Sequence, residues 1–69
     1  MGRLSNSIRR LRFEAGEMTQ KELAARTGVT RQTINAIEAG KYSPTLDLAF
    51  RIAQAFERPL EEVFTWEPE

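Results

Sequence analysis

The sequence predicts an all-α fold, a compact bundle of five short helices that ends in a short extended tail. Three observations predict it. Apolar residues recur every three or four positions between regularly spaced breaks, and strand-like alternation is absent until the tail. The breaks are marked by Gly16, Gly28, Gly40, Pro44 and Pro59. Three threonines, Thr19, Thr30 and Thr45, stand where helix N-caps are needed. With 69 residues there is room for one domain, 1–69, and no second core.

Each element has its own signal. The first helix, about 5–15, carries Leu4, Ile8, Leu11 and Ala15 at helical spacing, and Gly16-Glu17 ends it. The second, about 19–27, opens on Thr19 with Glu22 three residues later, a capping box. Leu23 and Ala24 are its apolar side, and Thr27-Gly28 breaks it. The third, about 30–39, is capped by Thr30 and turns Ile34 and Ile37 inward with Val29 of the preceding turn. Gly40 suits the left-handed position just past its end. The fourth, about 45–57, is capped by Thr45, has Asp47 in its dipole-favoured first turn and is the most apolar segment. Pro59 suits the start of a fifth, about 60–64, with Leu60, Val63 and Phe64. The tail, 64–69, sets Phe64 and Trp66 two apart, at strand spacing.

Composition excludes much chemistry. There is no cysteine and no histidine. That removes disulfides, thiolate ligands, the commonest metal ligand and the usual neutral-pH base. No catalytic residue, metal site or small-molecule cofactor is expected, and the chain is not expected to be an enzyme. Adjacent Glu61 and Glu62 point about 100° apart on a helix, so they do not form an acid pair. No apolar run reaches the ~20 residues of a membrane span, and the N-terminus lacks a signal-peptide core. The expectation is a soluble intracellular protein.

The zero net charge conceals a split. Residues 1–44 hold eight basic and four acidic side chains, while residues 45–69 hold two and six. The basic part suits a polyanion, and two unlike solvated faces would look the same. The join between the second and third helices decides the matter. Only Thr27-Gly28-Val29 separates them, and a tight glycine turn makes helices cross steeply. This is a helix-turn-helix, here 20–39, in which one helix braces on the DNA backbone and the next enters the major groove. Burying Val29, Ile34 and Ile37 leaves Arg31, Gln32, Asn35 and Ala36 outward. Arg pairs bidentately with guanine and Gln with adenine. Arg9 and Arg10 suit a solvated face better than a contact with the DNA backbone.

The run Thr19-Gln20-Lys21-Glu22-Leu23-Ala24, then Gly28 to Ile34, then Ile37-Glu38-Ala39-Gly40-Lys41 and Ser43-Pro44-Thr45-Leu46 resembles one family closely. Residues 8–64, over four-fifths of the chain, are similar to the Cro/phage-repressor, or XRE-like, class of helix-turn-helix regulators. The resemblance implies a lambda-repressor-like fold and double-stranded DNA as partner. It implies base reading by Arg31 and Gln32, with Asn35 and Ala36 beside them. Backbone contacts fall to Gln20, Thr30, Lys41, Tyr42, Ser43 and Thr45. It pairs Arg12 with Glu38 as a structural ion pair. The chain departs from the pattern at Glu17-Met18, one residue longer than many relatives, and at Ala39, where Asn is more usual. Ala36 is too small to read a base except by methyl contact.

The resemblance further implies a sequence-specific regulator, in first place a repressor. Restriction–modification controllers and antitoxins share this chemistry, so a toxin or an effector protein is a further partner to expect. An interaction module that has lost DNA binding would keep the fold without needing Arg31 or Gln32. Trp66 needs somewhere to bury. It can lie on the fourth helix of its own chain. It can also pair with a second copy, Phe64 and Trp66 forming the interface of a homodimer on a near-palindromic operator.

Overall fold

A computed structural model describes residues 1–69. The elements run β1 (Arg3–Asn6), α1 (Ile8–Glu14), α2 (Gln20–Thr27), α3 (Arg31–Glu38), α4 (Leu46–Phe56), α5 (Leu60–Val63) and β2 (Phe64–Glu67). The five expected helices are present. The fold is nevertheless not purely all-α, because β1 and β2 form a two-stranded antiparallel sheet joining the two ends of the chain. Arg3 faces Glu67, Leu4 faces Trp66, Ser5 faces Thr65 and Asn6 faces Phe64.

The first helix therefore begins at Ile8 and not near residue 5. The cause is local. The Asn6 side chain accepts the Ile8 amide through Oδ1 at 3.1 Å, so the helix is capped from before Ser7 and the preceding residues run extended. Leu4 belongs to the sheet, opposite Trp66, where cross-strand side chains touch. The Trp66 ring also lies over Gly2. A Cβ at residue 2 would sit 2.5 Å from the indole, so any other residue there would require the ring to shift.

The three threonine caps form. Thr19, Thr30 and Thr45 accept the amides of Glu22, Thr33 and Leu48 at 3.0, 3.2 and 3.2 Å. Glu22 returns the bond to the Thr19 amide at 3.2 Å, completing the capping box. Gly28 closes α2 with φ of +77°, and this left-handed step turns the chain into α3. Pro59 is the residue before α5 and not a member of its first turn.

The core is built from Ile8, Leu11, Leu23, Ile34, Ile37, Ile52 and Val63 at its centre, with smaller Ala24, Ala49 and Ala53 where helices approach. Thr27 is buried beside them, and its hydroxyl donates to the Leu23 carbonyl at 2.8 Å. Met18 also joins the core, which explains the longer first loop. Glu17 takes a positive φ of 59°, and the next residue turns inward. Ala15, expected on the apolar side of the first helix, is exposed just past its end. Leu46 and Phe50, one turn apart on α4, also remain outside. No helix is long and apolar enough to cross a membrane.

Candidate nucleic-acid interface

The two helices of the motif are pinned to each other from both ends. At the turn, Val29 and Gly28 donate to the Ala24 carbonyl at 3.1 and 2.9 Å. Arg51 of α4 donates to the Thr27 carbonyl at 2.8 Å, bracing the turn from behind. At the other end Asn35 donates through Nδ2 to Oε1 of Gln20 at 3.2 Å. With that oxygen occupied, the amide NH₂ of Gln20 keeps both donors for an external acceptor.

The outer side of α3 holds the expected readers. Arg31, Gln32 and Asn35 are exposed, and Ala36 is half-buried between them and the core. Ile34 and Ile37 point the opposite way, into the core. Arg31 and Gln32 occupy the first two positions of the helix, next to the Thr30 cap. Both side chains are free of intramolecular bonds, so neither must break a contact to meet a base edge.

The flanking loop carries Lys41, Tyr42 and Ser43, all exposed. The Lys41 amide is tied to the Ala36 carbonyl at 2.9 Å, which fixes the loop against α3. Thr45 and Thr30 use their hydroxyl oxygens as caps, and the Thr45 hydroxyl proton remains available for an acceptor.

The ion pairs sort the charge. Among the basic side chains, Arg3, Arg10, Arg12, Arg51 and Arg58 each meet a carboxylate within 4 Å. Arg9, Lys21, Arg26, Arg31 and Lys41 meet none. Four of these five lie on α2, on α3 or on the loop after α3. The fifth, Arg9, shares an open depression with Phe13, Gln20 and Asn35. Unpaired cations are thus gathered where the motif is, while the basic groups elsewhere are matched by acids. A polyanion would meet a positive field here without having to displace resident carboxylates. The sequence favours a solvated face for Arg9; the depression it shares with Gln20 and Asn35 puts it on this side.

Arg12 and Glu38 form the expected pair. Nε and Nη2 of Arg12 donate to the two carboxylate oxygens of Glu38, both at 2.9 Å. Nη1 reaches the Met18 carbonyl at 2.9 Å. One guanidinium thereby joins α1, the first loop and the end of α3. At the chain ends, Phe64 is buried in the chain's own core, whereas Trp66 is 62% exposed.

Residues 8–63 match the family model described as helix-turn-helix. The chain is 59% identical over 58 residues to an uncharacterized HTH-type transcriptional regulator of Methanothermobacter thermautotrophicus, covering 83% of each protein. It is 54% identical over 50 residues to one of Methanocaldococcus jannaschii, covering 72% of this chain and 76% of the other. With the regulator YgzD of Bacillus subtilis, also uncharacterized, it shares 44% identity over 66 residues, nearly the whole of both chains, at 96% and 98%.

Proposed function

The chain belongs to the Cro/phage-repressor type of helix-turn-helix family, DNA-binding regulators of transcription, and we propose that it acts as a repressor that binds a near-palindromic operator as a homodimer. The observation that carries the DNA-reading part is the first turn of α3. It offers Arg31 and Gln32, exposed and uncommitted, on a helix fixed at both ends and surrounded by unpaired cations. Arg31 reads guanine and Gln32 reads adenine at their major-groove edges. Ala36 offers a thymine-methyl contact. Asn35 either keeps Gln20 in place or releases it to meet a base. Gln20, Thr30, Lys41, Tyr42, Ser43 and Thr45 hold phosphates, and Arg9 joins them from α1. Selection from random duplexes at moderate salt tests this: one preferred half-site is expected, and no preference for any duplex overturns the proposal.

Lys41→Ala separates backbone from base contacts. Lys41 is exposed and unpaired, so its removal leaves the fold intact. It should weaken selected and unrelated duplexes alike. The slope of log K against log salt should become shallower by about one per protomer. Titrations of both duplexes at several salt concentrations give the answer.

Three surface features support the homodimer. Trp66 keeps most of its ring exposed, β2 has one edge unpaired because β1 takes only the other, and Leu46 and Phe50 form an apolar stripe on α4. A two-fold axis at this end puts two recognition helices about one DNA turn apart, ~34 Å, and the half-sites with them. The acidic carboxyl-terminal residues then lie away from the duplex. Sedimentation at increasing concentration should show a dimer, and Trp66→Ala should weaken it about tenfold. A monomer at high concentration, unchanged by Trp66→Ala, overturns the dimer.

A further inference from the structure

We propose that Asn6 is a positioning residue for the recognition helix, holding the far end of α3 to the terminal sheet. The inference rests on the DNA-reading function proposed above. Asn6 is the last residue of β1, opposite Phe64 of β2. Its half-buried side chain leaves the sheet and reaches α3. Nδ2 donates to the Ile37 carbonyl at 3.0 Å and, more weakly, to that of Glu38 at 3.5 Å. Oδ1 accepts the Ile8 amide at 3.1 Å. One amide group thus touches three elements: the sheet, the first turn of α1 and the last turn of α3.

The chemistry of each contact calls for this side chain. The last carbonyls of a helix lack partners in the following turn and carry the negative end of its dipole. A basic side chain commonly serves them, yet α3 has none in its last turn. The Ile37 carbonyl already accepts the Gly40 amide at 3.0 Å, and Nδ2 of Asn6 adds a second donor to it from outside the helix. The same residue must also accept at Ile8, because Ser7, the residue flanking α1, makes no side-chain cap. Asn does both at once. Asp would accept but could not donate, and its charge would oppose the helix end. Ala would do neither.

The consequence falls on base reading more than on DNA affinity as such. Base-edge hydrogen bonds need side chains held to about half an ångström. Contacts from flexible lysines and arginines to phosphate tolerate more drift. Loosening one end of α3 therefore degrades discrimination first. Arg12 grips Glu38 from α1, and Asn6 grips the neighbouring main chain from the sheet, so the two hold the helix end from different elements. The terminal sheet, remote in sequence from the motif, is in this way part of the reading apparatus.

The test is the ratio of affinities for the selected operator and for an unrelated duplex of equal length. A change in folded fraction or in net charge alters both affinities together and leaves the ratio unmoved; a change in helix placement does not. In Asn6→Ala the ratio should fall about tenfold, with an unchanged salt slope on the unrelated duplex. Asn6→Asp keeps the Ile8 bond, loses the link to α3 and sets a like charge at that helix end, so it should fall at least as far. It carries the same test should Asn6→Ala unfold at the assay temperature. A ratio within twofold of wild type in the folded variants overturns the positioning role while leaving the DNA-reading function standing. A wild-type ratio near one overturns both.

Discussion

Arg31→Ala should abolish the preference for the operator and leave a weak, salt-sensitive affinity for any duplex. A bidentate arginine–guanine pair discriminates by ~1–3 kcal/mol per site. In a two-fold complex the loss counts twice, about 2–6 kcal/mol, or between about thirtyfold and twenty-thousandfold in the specificity ratio. The effect on stability should be small, within about 0.5 kcal/mol, because the side chain is exposed and makes no ion pair. The phosphate contacts survive, so the non-specific term remains. Titrating the variant against the selected operator and a scrambled duplex measures both terms. Retained operator preference in Arg31→Ala would move the base reading to another residue. Gln32→Ala should show the same pattern with a smaller loss.

That experiment rests on the part of the molecule most legible in the sequence. Thr19, Thr30 and Thr45 act through bonds to residues three positions away, so local spacing is enough to find them. Gly28 is legible for the same reason, since a three-residue turn between helices needs a left-handed step. The outward side of α3 follows from which residues are too apolar to leave outside. The strand spacing of the tail is legible too, but the pairing of the two chain ends is not. Leu4 sits four residues before Ile8 and so mimics a helical repeat, yet its partner is Trp66, some sixty positions away. Pairing at that distance leaves no periodic mark in a strand of four residues. The Asn6 contact to Ile37 is equally non-local, and a lone Asn ahead of a helix looks like any other polar residue. Met18 escaped because it lies in a loop, where inward direction depends on the positive φ of Glu17 and on no pattern. Arg9 is placed only by the depression it shares with Gln20 and Asn35, which no local pattern shows. Phe64 and Trp66, alike in the sequence, part company in the fold: one completes the core and the other remains largely exposed.

Glu38→Ala should be the most destabilising polar substitution in the chain. Arg12 and Glu38 are 18% and 14% exposed, and their two parallel bonds of 2.9 Å lie between α1 and the end of α3. Removing the carboxylate leaves a guanidinium largely out of water, with only the Met18 carbonyl as acceptor. Breaking a fully buried pair costs about 3–5 kcal/mol. The residual exposure lets some water in, so about 2–3 kcal/mol is expected here. In a domain of this size each kcal/mol moves Tm by about 4–8 °C, so the loss should reach roughly 10–20 °C. The reverse deletion, Arg12→Ala, should cost a similar amount by stranding Glu38 and the Met18 carbonyl. Replacing both, as in Arg12→Met with Glu38→Leu, should cost less than either single change, because no charge is then left unpaired. Thermal unfolding of wild type, Arg12→Met, Glu38→Leu and the double variant closes the cycle. Equal additive losses would mean that the two side chains act separately. A sub-additive double variant would show that the pair is held for its mutual neutralisation. If that variant, though stable, read its operator poorly, the arginine fork would also be fixing the angle of α3 beyond what apolar packing supplies.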